Sequence, residues 1–115
     1  MVVDDTISMA ICVKAFLNAQ GYAGIETFGG PAEALDRIRE QGCPAFIISD
    51  YEMPVMNGAD FLDRVMQQYP LASGVIMTGH SAVPPEVAAR FSVIRKEDPD
   101  FFGRLIRHVR DGLSS

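Results

Sequence analysis

The stretch FIISDYEMPVMNG, residues 46–58, is an apolar run that ends on an aspartate and is followed at once by a turn. Together with Ala45, its apolar start predicts a β-strand over residues 45–49, because short, β-rich apolar runs are typical of strands. Asp50 ends the run, and Pro54 and Gly58 then mark a turn. The strand therefore presents a carboxylate at the point where the chain leaves its core.

Strand patterns and helical patterns alternate on both sides of that stretch. Further β-rich runs lie at 2–4, 25–28, 74–77 and 92–95. Apolar spacing predicts amphipathic helices over 9–17, 31–41, 61–69 and 102–113, and only a short helix after Pro84 and Pro85. This alternation predicts an α/β fold, a three-layer sandwich around a five-stranded parallel sheet.

Polar groups follow four of the five predicted strands. In open parallel sheets, ligands bind beyond the carboxyl ends of the strands, so residues there are the first candidates for a site. The candidates are Asp4 and Asp5 after the first strand, Asp50 after the third, Thr78 and Gly79 after the fourth, and Lys96 after the fifth.

These residue types favour the binding of a phosphoryl group. Clustered carboxylates repel one another unless one is protonated or a cation joins them, and oxygen ligands without a His or Cys pair favour Mg²⁺. Lys96 adds a second cation for an incoming anion. An aspartate such as Asp50 can be the nucleophile in phosphoryl transfer. The Thr78 hydroxyl could donate a hydrogen bond to the bound group, and Gly79 leaves space for it.

Composition limits the alternatives. The chain has 115 residues, 48% of them hydrophobic, which suits one compact domain. No apolar run is long enough for a membrane span, and the first residues lack a secretory signal, so we expect a cytoplasmic protein without membrane insertion. The formal net charge of −5 argues against direct nucleic-acid binding. Cys12 and Cys43 lack metal-site spacing, which favours structural, reduced thiols.

Taken in order, the motifs resemble the receiver domains of two-component response regulators. The resemblance rests on the acidic pair Asp4-Asp5, on SDYEMPVMNG around Asp50, on VIMTGH around Thr78 and on VIRK ending at Lys96. It covers nearly the whole chain and implies a flavodoxin-like sheet of strand order 2-1-3-4-5.

The resemblance also implies a function. Asp50 would be the phosphoacceptor, with Thr78 as the switch hydroxyl and Lys96 paired with the phosphate. Mg²⁺ would be held by Asp4, Asp5, Asp50 and the backbone carbonyl of Glu52. The phosphoryl donor would be a phosphohistidine of a histidine kinase or histidine phosphotransfer protein, and phosphorylation would change the binding of a downstream protein. The domain would not be an enzyme beyond self-catalysed phosphoryl transfer and dephosphorylation.

Three features depart from the family pattern. Glu97 follows Lys96, where receivers usually have proline, and Val93 stands where they generally carry Tyr or Phe. The short distance from Thr78 to Lys96 predicts a stunted fourth helix. Together these features predict an altered output surface around the fourth helix, the fifth strand and the fifth helix.

Glu52 and His80 lie two residues beyond Asp50 and Thr78. A carboxylate beside an imidazole can form an ion pair and screen an attacking water, so the two residues are candidates for tuning the lifetime of the phosphoryl group. The alternative is two solvated loop side chains, because exposed pairs usually contribute little.

Two other functions stay open. One is an aspartyl-phosphate phosphatase of the haloacid dehalogenase type, which also combines a strand ending in Asp with a Thr and a Lys. The other is a receiver-like interaction module that does not depend on phosphorylation. In either case we expect residues 1–115 to form a single domain, with no output domain in this chain.

Overall fold

The computed structural model describes residues 1–79 and 82–114, over which strands and helices alternate. The strands are β1 (Val2–Val3), β2 (Thr27–Phe28), β3 (Phe46–Asp50), β4 (Ser73–Thr78) and β5 (Ser92–Arg95). The helices are α1 (Ile7–Ala19), α2 (Pro31–Gln41), α3 (Gly58–Gln68), α4 (Pro85–Ala88) and α5 (Phe101–Ser114). None of these helices has the length and apolar character of a membrane span.

All neighbouring strands are parallel, and their order is β2-β1-β3-β4-β5. The predicted α/β sandwich with a five-stranded parallel sheet is therefore confirmed, as is the strand order that the resemblance implied. This order puts β1 directly beside β3. Residues that follow these two strands consequently meet at one edge of the sheet, and those that follow β4 and β5 extend the same edge.

Several element boundaries differ from the prediction. The first strand ends at Val3, one residue before Asp4, and β2 begins at Thr27 rather than at 25. The edge strand β2 is short because its neighbour β1 offers it only two residues for pairing. The third strand includes Asp50, which was predicted to follow it, because Asp50 pairs with Met77 of β4.

Apolar residues cover both faces of the sheet. On β3, Ile48 packs with one buried cluster and Ile47 with the other, as expected when successive side chains alternate between faces. The helices supply the rest: Val13 and Leu105 from α1 and α5 on the Ile48 face, and Ile38, Leu62 and Val87 from α2, α3 and α4 on the Ile47 face. The sheet is thus packed between two helical layers.

The fourth helix has only four residues, which confirms the prediction of a stunted helix. The Phe91 side chain is buried just before β5, and the half-buried Val93 packs in the same cluster. The guanidinium of Arg90 lies 5.0 Å from the centre of the Phe91 ring and forms an ion pair with Asp63 of α3. Phe91 and Arg90 therefore tie this short segment to α3.

Candidate functional site

Three of the predicted site residues meet at the carboxyl edge of the sheet. Lys96 Nζ lies 2.9 Å from Asp4 Oδ2 and 3.2 Å from Asp50 Oδ1. Both aspartates are buried, whereas the lysine side chain is 20% exposed. Lys96 therefore bridges the carboxylates that follow β1 and end β3, although it comes from the far edge of the sheet.

Asp5 completes an acidic cluster. One oxygen from each of Asp4, Asp5 and Asp50 lies within 4.8 Å of the other two. The Asp5 side chain is exposed, unlike the other two, and it helps to line an open cleft of about 630 Å³. The sequence predicted that these acids would meet, but it did not distinguish the buried Asp4 from the exposed Asp5.

Burial and charge shift the acid strength of the site. Burial, followed by the charge of Asp4, raises the pKa of Asp50 from 3.8 to about 6, although Lys96 opposes the rise. Burial alone would lower the pKa of Lys96, but its contacts with Asp4 and Asp50 outweigh burial and raise that pKa. At neutral pH the site consequently contains an ammonium ion beside a mostly ionised Asp50.

The arrangement around Asp4 fits a divalent cation. Asp4 Oδ1 accepts a hydrogen bond of 2.9 Å from the backbone N–H of Thr6. Asp4 Oδ2 is fully buried, and the Lys96 ammonium lies 2.9 Å from it. Carboxylate oxygens from three clustered aspartates are the ligands that a hard divalent cation prefers. The three acidic side chains therefore suit Mg²⁺.

The remaining predicted residues surround this cluster. Thr78 is buried at the end of β4, and its carbonyl oxygen accepts a hydrogen bond of 2.7 Å from the backbone N–H of Lys96. Gly79 is half-buried, and no neighbouring atom lies within 4 Å of the Cβ that a larger residue would carry. Glu52 is exposed and lines the cleft. His80 lies outside the described residues, so the proposed Glu52–His80 pair stays a prediction.

The loop after Asp50 is fixed by its own backbone. The N–H of Gly58 donates a hydrogen bond of 2.8 Å to the carbonyl of Tyr51, which closes the loop. The φ of Gly58 is not positive, so the backbone conformation does not require glycine at this position. Glycine is needed there for a different reason. A Cβ on Gly58 would lie 2.3 Å from the carbonyl oxygen of Asp50.

The Gly58→Ala variant is expected to lose about 1–3 kcal/mol of unfolding free energy, because its methyl group must displace the backbone of Asp50. Gly29→Ala is the matched control, since a Cβ on Gly29 meets nothing within 4 Å. Urea denaturation of both variants measures the effect. Equal stability of the two variants would show that the close approach at Gly58 is not a constraint.

Three residues of the site were missed in the sequence. Thr6 and Asn57 line the cleft, and the Ser49 hydroxyl donates a hydrogen bond of 3.0 Å to the Asp50 carbonyl. Asn57 also caps α3 by accepting a hydrogen bond from the N–H of Asp60. The Asn57-Gly58 pair before an apolar helical pattern was a usable capping signal. Thr6 and Ser49 gave no comparable signal.

Comparison with known proteins identifies the fold family. Residues 1–93 match the family model of the response regulator receiver domain. The chain belongs to this family. The matched segment of the receiver domain includes Asp4, Asp5, Asp50 and Thr78, and it ends before Lys96.

Two curated relatives of the receiver domain are much longer proteins. The chain is 38% identical over 81 residues to protein-glutamate methylesterase/protein-glutamine glutaminase 3 of Burkholderia thailandensis, a match covering 68% of the chain and 22% of that protein. It is 33% identical over 88 residues to the DNA-binding transcriptional regulator NtrC of Escherichia coli, covering 76% of the chain and 18% of the regulator. The chain thus spans about a fifth of the length of these relatives.

Solved receiver domains share the fold at lower sequence identity. A response regulator receiver domain protein from Clostridium thermocellum superposes with a TM-score of 0.85 at 23% identity, covering 98% of this chain and 91% of that chain. The receiver domain of NtrX from Brucella abortus gives 0.83 at 24% identity, covering 99% and 97%. At these sequence identities, the structural similarity shows a shared fold.

The departures noted in the sequence are concentrated at the end of the receiver domain. Glu97 forms an ion pair of 2.8 Å with Arg95, and Val93 contributes a half-buried aliphatic side chain where receivers usually have an aromatic ring. The effect of these residues on the output surface stays a prediction.

Proposed function

We propose that this receiver domain is a phosphoryl-accepting signalling switch, in which Asp50 takes a phosphoryl group from a phosphohistidine. The observation that carries the proposal is the contact of Lys96 with both Asp4 and Asp50 at the edge of an open cleft. A cation held between two carboxylates is well placed to contact an anionic group that arrives on one of them. Membership of the receiver family favours this reading over a haloacid dehalogenase-type phosphatase.

In the proposed reaction, an Asp50 carboxylate oxygen forms a bond to phosphorus as the N–P bond of the donor breaks. The electron pair of that bond stays on the imidazole nitrogen of the donor. Asp50 must be ionised to attack the phosphorus atom. Because its pKa is about 6, the ionised form predominates at neutral pH. Lys96 neutralises part of the charge on the transferred group, and the Thr78 hydroxyl donates a hydrogen bond to it.

We infer that Asp4, Asp5, Asp50 and the backbone carbonyl of Glu52 hold Mg²⁺ during this reaction. The spacing of the three carboxylates, two of which are buried, supports the inference. When bound, the ion supplies positive charge next to the phosphoryl oxygens.

The signalling role follows from the added charge. Phosphorylation replaces the single negative charge of the Asp50 carboxylate with about −2 on the phosphoryl group, and it would bias the surrounding loops toward a second arrangement that a partner protein recognises. We propose that residues 1–115 act as one receiver domain. Its donor would be a histidine kinase or histidine phosphotransfer protein, and its location would be the cytoplasm.

Intact-mass measurement after incubation with a small acyl-phosphate donor and Mg²⁺ tests the proposal. The wild type is expected to gain the mass of one phosphoryl group, and Asp50→Asn to gain none. Asp36→Asn, which removes an exposed carboxylate on α2, serves as the matched control and should react like the wild type. A chelator should stop the reaction. An unmodified wild type, or equal modification of the Asp50 variant, would refute phosphoryl acceptance at Asp50.

A second candidate is an interaction module that does not depend on phosphorylation. The four-residue α4 and the aliphatic Val93 favour it, since both alter the region that would carry an output signal. Partner binding that is unchanged by Asp50→Asn and by the acyl-phosphate donor would support this candidate.

A further inference from the structure

Lys96 lies in a tight turn that directly follows β5. The N–H of Asp98 donates a hydrogen bond of 3.1 Å to the carbonyl of Arg95, which closes a β-turn. Lys96 and Glu97 are the two central residues of this turn. We call residues 95–98 the Lys96 turn. Its backbone sets the point from which the Lys96 side chain reaches the acidic cluster.

The side chain of Asp98 ties the Lys96 turn to α5. One carboxylate oxygen, Oδ1, accepts a hydrogen bond of 2.8 Å from the backbone N–H of Asp100. The other, Oδ2, forms an ion pair of 2.8 Å with Arg104 of α5. The carbonyl oxygen of Asp98 accepts a further hydrogen bond of 3.0 Å from the N–H of Phe101. Every polar group of Asp98 thus has a partner, and its side chain is only 25% exposed.

The Lys96 turn needs this support because its own sequence does not stiffen it. Position 97 is glutamate, whereas a proline there would restrict the backbone by itself. The ion pair of Glu97 with Arg95 joins two exposed side chains, and such pairs contribute little. In contrast, α5 is anchored in the core by the buried side chains of Leu105 and Val109. Asp98 therefore connects a weakly restrained turn to a firmly packed helix.

We propose that Asp98 is a positioning residue that holds the Lys96 ammonium at the place where the phosphoryl group is transferred. It acts through the backbone of the Lys96 turn and does not itself contact the transferred group. The inference rests on the proposed phosphoryl acceptance at Asp50. A displacement of about 1 Å in a group that assists a reaction can lower the rate about a hundredfold. Loosening the turn should therefore slow the transfer step and leave the half-saturating concentration of the donor unchanged.

Phosphorylation by a small acyl phosphate in Mg²⁺, followed by intact mass, tests this role. Asp98→Ala should lose about tenfold in maximal rate. Its half-saturating donor concentration should stay within about twofold of the wild type. Asp98→Asn should lose only about threefold, because its amide oxygen can still accept the hydrogen bond from Asp100 and only the ion pair is lost.

Two arginines of α5 provide a matched pair of variants. Arg104→Met removes the ion pair with Asp98, and Arg107→Met removes an ion pair of 2.9 Å with Asp100. The two arginine side chains are 55% and 60% exposed, so both replacements should affect the helix alike. Asp100 lies outside the Lys96 turn. Arg104→Met should therefore slow phosphorylation about threefold, and Arg107→Met by less than about 1.5-fold.

A double-mutant cycle with Lys96→Met separates positioning from simple stabilisation of the loop. If Asp98 acts through Lys96, Asp98→Ala should slow the Lys96→Met protein by less than about twofold, although it slows the wild type about tenfold. Urea denaturation in chelator gives a second cycle that does not need the reaction. Lys96→Met should lower the unfolding midpoint less in Asp98→Ala than in the wild type. A residue that only capped α5 would give equal effects in both backgrounds.

The failure of this role can be told apart from the failure of phosphoryl acceptance. If acyl phosphate leaves the wild type unmodified, both proposals fail. If the wild type reacts, the positioning role alone is overturned by an Asp98→Ala rate equal to that of the wild type, by equal losses for the two arginine variants, or by additive effects of Asp98→Ala and Lys96→Met. If Lys96→Met does not react at all, the urea midpoints decide additivity. If Asp98→Ala does not fold, Asp98→Asn takes its place in both cycles.

Discussion

Replacing Lys96 with Met is expected to lower the unfolding free energy of the metal-free protein by about 3 kcal/mol at pH 7. Lys96 is the cation that contacts both Asp4 and Asp50. Methionine retains much of the apolar stem but removes the charge, so two buried carboxylates are left facing each other. Removing one partner of a buried ion pair costs far more than removing one partner of an exposed pair.

Urea denaturation in the presence of a chelator measures this loss. Lys14→Met is the control, because Lys14 is an exposed residue of α1, and its replacement should change the unfolding free energy by less than about 0.5 kcal/mol. Adding Mg²⁺ should stabilise Lys96→Met more than the wild type, since the acidic cluster then has no competing ammonium. A Lys96 variant as stable as the Lys14 variant would contradict the bridging role.

The residues of this ion-pair cluster were predictable from the sequence because parallel sheets follow simple rules. Asp50 and Lys96 were found by reading which polar residues follow apolar strands, and that reading needs only the alternation of strands and helices. The structure brings both to one edge. The short α4 was also predictable, since two prolines and the limited distance to Lys96 leave little room for a longer helix.

Other features depend on the approach of distant backbone segments, which local patterns do not encode. The need for glycine at position 58 arises from the carbonyl of Asp50, and only the folded loop brings the two together. Val55 has a φ of +75°, and nothing in the sequence indicated it, because valine normally avoids that conformation. The difference in burial between Asp4 and Asp5 depends on where β1 ends, and strand ends are poorly specified by sequence.

The second large effect is expected at Asp50 itself. Asp50→Asn should raise the unfolding free energy of the metal-free protein by about 3 kcal/mol at pH 7, although it removes the proposed phosphoacceptor. Burial and neighbouring acids raise the pKa of Asp50 from 3.8 to about 6 in the folded state. This difference corresponds to about 3 kcal/mol at about 1.4 kcal/mol per pKa unit. Asparagine has a similar shape and no charge to bury.

The direction of the pH dependence follows from linkage. Between pH 4 and pH 6 the folded wild type holds a proton on Asp50 that the unfolded chain has released. The stabilising effect of that proton is present at acid pH and is lost as the pH rises through about 6. The stability difference between Asp50→Asn and the wild type should therefore be small at pH 4 and reach about 3 kcal/mol near pH 7.

Denaturation of both proteins in chelator across pH 4–7 measures this difference and cancels the contributions of other carboxylates. Asp36→Asn is the control, because its exposed ion pair with Arg39 should contribute less than about 1 kcal/mol at any pH. If the difference in unfolding free energy between Asp50→Asn and the wild type did not change with pH, the pKa of Asp50 would not be raised by its burial. With Mg²⁺ present the wild type should regain stability and the variant much less, because the ion neutralises a charge that the asparagine lacks.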